Sequence, residues 1–138
     1  MCYITPSKLN RLRVIVMRHN DLGYVRDIRI SWYSKFKKGA ERRGITWDIT
    51  IDDLADLYEK QGGVCALTGE RVFMPGSGYH PDYDASIDRI NSAFGYIPNN
   101  IQITSKYSNM MKASYSMEKF IEVCNKVATH TLNQKREV

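Results

Sequence analysis

Three polar side chains in the second half of the sequence have types and spacing that suit metal-assisted chemistry. The carboxylate of Asp88 is followed twelve residues later by the amide of Asn100, and nine residues further on by the amide of Asn109. Carboxylate and amide oxygens are hard ligands that suit Mg²⁺, which often takes only one or two protein ligands beside a substrate phosphate. Such an incomplete site suits phosphodiester hydrolysis. The alternative is that these side chains only bond to backbone groups in turns.

The segments around these residues have the patterns of two strands and a helix. Ala85–Ile90 alternates apolar and polar residues, which is typical of a half-buried strand. Asn91–Pro98 has the composition of a loop, and Asn100–Thr104 resembles a second short strand. Ser105 is placed to cap a helix that runs to about Lys112.

Helices are predicted on both sides of this unit. From Val25 to Arg43 the apolar residues recur at three- and four-residue spacing, which predicts a helix that ends at Gly44. Thr50 followed by Asp53 predicts a capping box at the start of the next helix. A last helix is expected to begin near Ser116. Its pattern predicts a buried stripe of Phe120, Ile121, Val123, Cys124 and Val127.

The order of these elements predicts an α+β fold. Its centre is a two-stranded hairpin plus helix, flanked by helices, and the chain is predominantly helical. Residues 64–73, with a Thr68-Gly69 turn, are consistent with another hairpin. Residues 7–18 fit a short helix and a strand equally well. We expect a basic helical extension over residues 1–45 and a second domain over residues 46–138.

The positive charge is concentrated in the first third of the chain. Residues 1–45 carry eleven Lys and Arg against three acids, and the remainder carries nine against twelve. A basic segment beside an acidic remainder suggests a phosphate-binding arm next to a cation site. The alternative is an ordinary solvated helix rich in Lys and Arg.

Cysteine content and hydropathy indicate the cellular compartment in which we expect the protein. The three cysteines form no close pair, so a disulfide framework and a cysteine-rich zinc site are not expected. Buried or semi-buried free thiols in a reducing compartment are the expectation. The apolar runs are too short to cross a bilayer and the start lacks a signal-peptide pattern, so we expect a soluble, cytoplasmic protein without a membrane partner.

Together, the runs S-I-D-R-I-N, G-Y-I-P-N-N-I-Q and N-M-M-K, at residues 86–91, 95–102 and 109–112, resemble the phage and restriction-enzyme branch of the HNH nucleases. This family has a ββα-metal fold and cleaves DNA, and the likeness extends over about residues 32–126. The resemblance implies that residues 46–138 hold the nuclease domain and that the host cytoplasm is its setting if a phage encodes it.

The resemblance also assigns roles to individual residues. It implies that Asp88 and Asn109 bind one Mg²⁺ or Mn²⁺ ion, and that Asn100 pins the loop and orients the residue after Asp88. Lys112 could contact phosphate or simply be solvated. Phosphate contacts along DNA are expected from the basic helix, through Arg26, Arg29, Lys37, Lys38, Arg42 and Arg43.

The sequence departs from the family pattern immediately after Asp88. Most members have a His there that takes a proton from the attacking water, whereas this chain has Arg89. A guanidinium keeps its proton at any relevant pH, so Arg89 is expected to hold the scissile phosphate instead. His80 is the first candidate for the base, with Tyr79 and Tyr83 as weaker ones. The alternative is that His80 is a surface or packing residue.

These observations predict a metal-dependent DNA endonuclease that nicks or cuts both strands, with a homodimer as one arrangement for the second outcome. Zinc-binding members of the family carry two C-x-x-C pairs, whereas this chain has Cys65 and Thr68 at the first, so structural zinc is not expected. The alternative function is a DNA- or protein-binding module that keeps the fold and has lost cleavage. A small basic regulator that reads DNA with the helix over 25–43 is a third reading.

Overall fold

A computed structural model of the protein describes residues 23–137. Its helices and strands make an α+β fold, as predicted, and the strands form two small antiparallel sheets. In chain order they are β1 (Tyr24–Val25), β2 (Ile28–Arg29), α1 (Ile30–Arg42), α2 (Ile51–Lys60), a 3₁₀ turn (Pro81–Tyr83), β3 (Ala85–Arg89), β4 (Ile101–Ser105), α3 (Lys106–Lys112) and α4 (Met117–Arg136). The expectations for residues 7–18 and for the Cys2 thiol lie outside the described residues.

The first helix begins later than predicted, because β1 and β2 form a tight hairpin before it. The spacing of Val25 and Ile28, which suggested a helix, instead places these residues opposite each other across a turn. Arg26 adopts a positive φ of 53° within that turn. Helix α1 therefore starts at Ile30, and it ends where predicted, beside Gly44 with its φ of 66°.

Helix α2 begins with the predicted capping box. The Thr50 hydroxyl accepts a hydrogen bond from the Asp53 amide at 3.1 Å, and the Asp53 carboxylate accepts one from the Thr50 amide at 2.7 Å. The hairpin expected after α2 is not formed as two strands. Within the described chain, residues 64–73 make one antiparallel bridge, between Val64 and Arg71, around the expected turn at Gly69.

Strands β3 and β4 pair antiparallel over five residues, with Ile87 opposite Ile103 and Asp88 opposite Gln102. The apolar face of this hairpin joins a core shared with α1 and α2, and Trp32 of α1 donates a hydrogen bond to the Ala85 carbonyl at 2.9 Å. The expectation of a half-buried strand was wrong for β3, because its polar face is covered as well, by α3. The described part of residues 1–45 thus shares one core with the hairpin, and a domain boundary at residue 45 stays a prediction.

Helix α4 contradicts its predicted packing. It runs for twenty residues from the Ser116 cap, and none of its side chains is buried. Ile121, Val123, Cys124 and Val127 are exposed, and Phe120 is only partly covered. The amphipathic pattern predicted a buried stripe, but no other element of the described chain covers it. Within residues 23–137, no helix has the length and apolar character needed to span a membrane.

Candidate active site

The candidate site lies between the polar face of β3 and one face of α3. Ser86 and Asp88 point to the same face because they are two residues apart on a strand. Asn109 and Lys112 share a helix face because they are three residues apart. The two faces meet: the Asn109 amide donates to the Ser86 hydroxyl at 2.8 Å, and the Lys112 ammonium donates to the Asp88 carboxylate.

The Asp88 carboxylate is buried and fully engaged. Its side chain is 5% exposed, and the Lys112 Nζ lies 3.2 Å from Oδ1 and 3.1 Å from Oδ2. The Gln102 amide donates to Oδ2 at 2.8 Å from the neighbouring strand. Lys112 itself has no exposed surface, and its Nζ also lies 3.4 Å from the Arg89 carbonyl oxygen. The expectation of a solvated Lys112 was therefore wrong: its ammonium faces Asp88, and contact with a phosphate stays a prediction.

The two predicted metal ligands, Asp88 on β3 and Asn109 on α3, lie on the two faces that meet, but their side chains have different hydrogen-bond partners. Both Asp88 oxygens contact the Lys112 ammonium, whereas Asn109 contacts Ser86. Within residues 23–137 there is no cluster of three or more His, Cys, Asp or Glu residues that could bind a metal ion. All buried side-chain polar atoms in the described chain have hydrogen-bond partners, so none points to a missing cation. With the Lys112 ammonium on both Asp88 oxygens, these residues do not fit a divalent ion unless that ammonium moves away.

Asn100 holds the loop between the two strands, as the resemblance implied. Its Oδ1 accepts from the Asn91 amide at 2.9 Å, and its Nδ2 donates to the carbonyls of Asn91 and Gly95 at 3.0 and 2.9 Å. Gly95 is required here, because an added Cβ would lie only 2.6 Å from the Thr46 carbonyl oxygen. The loop is thereby fixed against the segment that precedes α2.

Arg89 also binds this loop. Its Nη1 donates to the carbonyls of Ser92 and Phe94 at 3.1 and 2.9 Å, and its guanidinium carbon lies 5.5 Å from the centre of the Tyr96 ring. The side chain is half-buried, so part of it is open to solvent. A structural role for Arg89 is therefore established, and contact with a phosphate stays a prediction.

His80 lies apart from the Asp88 cluster. It caps the 3₁₀ turn by accepting a hydrogen bond from the Asp82 amide at 3.2 Å, and its side chain is 67% exposed. Tyr83, the last residue of this turn, lies near the start of α3: the centre of its ring is 6.1 Å from that of Tyr107. In the described chain, no hydrogen bond or ion pair joins His80 to Asp88, Arg89 or Asn109. Tyr79 stacks on Phe73, 3.7 Å between ring centres.

The predicted DNA-binding residues separate into two groups. Arg26 forms ion pairs with Asp56 and Glu59 of α2, and Arg29 donates to the Tyr24 hydroxyl at 2.8 Å. The Arg26 charge is thus paired with two acids, whereas Arg29 bonds to a neutral hydroxyl; contact of either residue with DNA stays a prediction. The other group lies on α1 and just after it and is exposed to solvent: Lys37, Lys38, Arg42 and Arg43.

A groove of about 680 Å³ runs along α1 and adds a basic residue that the sequence analysis did not single out. Its described lining includes Lys35, Lys38 and Arg42, together with Ser31 and Ser34. These positions recur at helical spacing, which was readable from the sequence. Glu41 also lines the groove, so it presents three cations and one carboxylate along one side of the helix.

Gln102, Ser86 and Cys65 also contribute to the site without having been given a role. Gln102 could have been found, because alternation and pairing place it opposite Asp88 on the same face. Cys65 could not, because it comes from a distant segment: its Sγ accepts the Ser105 amide at 3.1 Å and lies 3.3 Å from the Ser108 hydroxyl. Burial raises the pKa of this thiol, but hydrogen bonds from Ser108, Thr68 and backbone amides outweigh burial and lower the pKa to about 7.

Comparisons of this chain with protein-family models, with curated proteins and with solved structures find no match. The class that the structure itself defines is an α+β protein whose ββα unit buries a carboxylate–lysine pair beside an arginine and an ordered loop.

Proposed function

We propose that this protein is an HNH-type endonuclease that hydrolyses phosphodiester bonds in DNA. The observation that carries the proposal is the gathering of the motif residues: Asp88, Gln102 and Lys112 form one buried cluster, and Arg89 and Asn100 hold the adjacent loop. If the sequence motif had matched by chance, its residues would not be expected to contact one another in the fold. Their shared position supports a site selected as a unit.

Each side chain has a proposed role. Arg89, half-buried at the end of β3, would contact the scissile phosphate and stabilise the charge that develops on it. The exposed cations of α1 would bind phosphates along the duplex with little sequence information. Asn100 and Gln102 are positioning residues. His80 is the proposed proton acceptor; its exposed ring is accessible to water and would have to approach the phosphate when DNA binds.

Mg²⁺ or Mn²⁺ is the cofactor that the motif implies, with Asp88 and Asn109 as its ligands. We retain it as part of the proposal and assign it no step, because Asp88 is bound to Lys112 in this structure. Cleavage of DNA in Mg²⁺ and its absence in EDTA are the expected results.

The test is a nicking assay on supercoiled plasmid with Mg²⁺, Mn²⁺ or EDTA. Wild type should nick DNA in either cation, and Asp88→Asn and Asn109→Ala should fall to the background of a protein-free sample. Arg89→Ala should lose about 10²–10³-fold in rate if it stabilises charge on the phosphate. Glu122→Gln on the exposed helix α4 is the matched control and should cleave like wild type. Cleavage by Asp88→Asn at the wild-type rate would refute the proposal.

A second candidate function is a DNA-binding module that has lost cleavage. The engagement of both Asp88 oxygens by Lys112 favours it, because a cationic side chain already stands where the motif implies a metal ion. This candidate predicts salt-dependent DNA binding without nicking in any divalent cation. Binding measured by fluorescence anisotropy at several salt concentrations, on the sample used for nicking, separates the two functions.

We further propose that two copies pair when both DNA strands are cut. Support comes from the exposed apolar residues of α4, among them Ile121, Val127 and Leu132. Light scattering after size exclusion should then report a dimer for wild type and a monomer for Val127→Glu. Lys119→Gln, on the same helix, should remain dimeric. A monomeric wild type would refute the pairing without affecting the nicking result.

A further inference from the structure

Lys112 occupies the position at Asp88 that a cation would take. Its ammonium lies at 3.1–3.2 Å from both carboxylate oxygens, and the Gln102 amide fills a further position on Oδ2. The side chain of Lys112 has no exposed surface, so the pair is screened from water. We infer that Lys112 acts as a built-in counter-ion that closes Asp88 to divalent cations in the free protein.

The geometry explains why the lysine and a metal ion exclude each other. Mg²⁺ requires oxygen ligands at about 2.0–2.1 Å in near-octahedral geometry. An ion bound to Asp88 at such a distance would lie beside the ammonium, and two desolvated cations that close repel strongly. Binding of a divalent ion therefore requires Lys112 to leave Asp88.

The position of Lys112 also gives it a structural role that a metal would otherwise have. Helix α3 has only seven residues, too few to be stable by itself in water. It is fixed to the hairpin through the Ser105 cap, the Asn109–Ser86 hydrogen bond and the Lys112–Asp88 pair. The last of these joins the C-terminal end of α3 to the end of β3. A metal shared by the strand and the helix would make the same connection, and here the lysine makes it.

The inference concerns the site of the proposed nuclease, but it does not depend on cleavage. Its test is Mn²⁺ titration of the purified full chain without DNA, followed by calorimetry and by loss of the free-Mn²⁺ electron paramagnetic resonance signal. Wild type should bind Mn²⁺ no more tightly than Asp88→Asn does, because Lys112 closes Asp88 in the free protein. Lys112→Gln should bind Mn²⁺ at least about tenfold more tightly, the size of change typical of altering one neighbour of a metal site. This gain should disappear in Lys112→Gln/Asp88→Asn.

Lys106→Gln is the matched control, because Lys106 is an exposed lysine on the same helix. It should bind Mn²⁺ like wild type. If Lys112→Gln is partly or fully unfolded, Mn²⁺ should raise its melting temperature or refold it, and should do neither for the double variant. Failure of Mn²⁺ to bind or stabilise Lys112→Gln would overturn the inference.

Tight Mn²⁺ binding by wild type that is lost in Asp88→Asn would also overturn the inference, while supporting the proposed endonuclease. The reverse result is equally distinct. A wild type that neither binds Mn²⁺ at Asp88 nor nicks DNA would leave the inference standing and remove the proposed function. Nicking by a wild type that binds no Mn²⁺ in the absence of DNA would support both.

Discussion

The ββα unit and helix α4 use the same kinds of residue in opposite ways. In the ββα unit even a lysine is fully buried, and its charge is matched by Asp88. In α4 even isoleucine and valine are exposed, and the ion pairs of Glu122 with Lys119 and Lys126 lie in solvent. The difference shows that residue type does not determine burial here. Contacts between elements do: α3 lies across a hairpin, whereas α4 has no element of the described chain against it.

Removing one lysine charge from each of these two regions tests the difference between them most directly. Lys112→Met leaves Asp88 buried without its partner and should lower the free energy of unfolding by about 3–5 kcal/mol. Lys126→Met removes an exposed partner of Glu122 in α4 and should cost no more than about 0.5 kcal/mol. Urea denaturation followed by fluorescence measures both. Equal losses would mean that the buried pair is no more important to stability than the exposed one.

A smaller effect is expected from a methyl group placed in the ordered loop. In Gly95→Ala the added Cβ would clash with the Thr46 backbone, so we expect a loss of about 1–3 kcal/mol. Gly39→Ala is the control: Gly39 lies within α1 with only the end of Arg42 nearby, at 3.9 Å. That substitution should stabilise the protein by up to about 1 kcal/mol, because alanine favours the helix. Thermal unfolding with both variants would show whether the close approach of the loop matters.

The two described cysteines give a pH test of the same contrast. The folded-state pKa of Cys65 is lowered to about 7, so its thiolate contributes stability that is full above the thiol's ordinary pKa and is lost as pH falls through about 7. Stability should therefore rise between pH 7 and pH 9, by at most about 1.4 kcal/mol per pH unit. Cys65→Ala should flatten this rise, and Cys124→Ser on the exposed helix should not. An equal rise in Cys65→Ala would assign the pH dependence to other groups.

The smallest global effect is expected from the cap of α4. The Ser116 hydroxyl accepts a hydrogen bond from the Lys119 amide at 3.2 Å, and Ser116→Ala should cost the helix about 1 kcal/mol locally. Because α4 buries no side chain, this loss should appear as faster amide exchange within α4 and leave the global melting temperature unchanged. Ser116→Ala is compared in the Val127→Glu background, which we expect to be monomeric, so that pairing does not stabilise the helix. A lower melting temperature would show that α4 unfolds together with the core.

The sequence by itself determined the features that depend on near neighbours. The Thr50–Asp53 capping box and the Ser105 cap were readable because each needs only residues three positions apart. The alternation over residues 85–90 also predicted the strand that carries Asp88, but not that both of its faces are covered. The loop-holding role of Asn100 followed from the resemblance, and its three hydrogen bonds agree with it.

Only the tertiary structure decided which of these residues meet and which are buried. Lys112 had the same sequence signature as a phosphate-binding or solvated lysine, and its contact with Asp88 spans 24 residues. The apolar stripe of α4 satisfied the pattern of a buried helix, yet no element within residues 23–137 covers it. His80 lies eight residues from Asp88 along the chain, but its side chain caps its own 3₁₀ turn, and within the described residues it makes no hydrogen bond to Asp88. Periodicity reports which side chains share a face, whereas burial and pairing depend on what the rest of the chain places against that face.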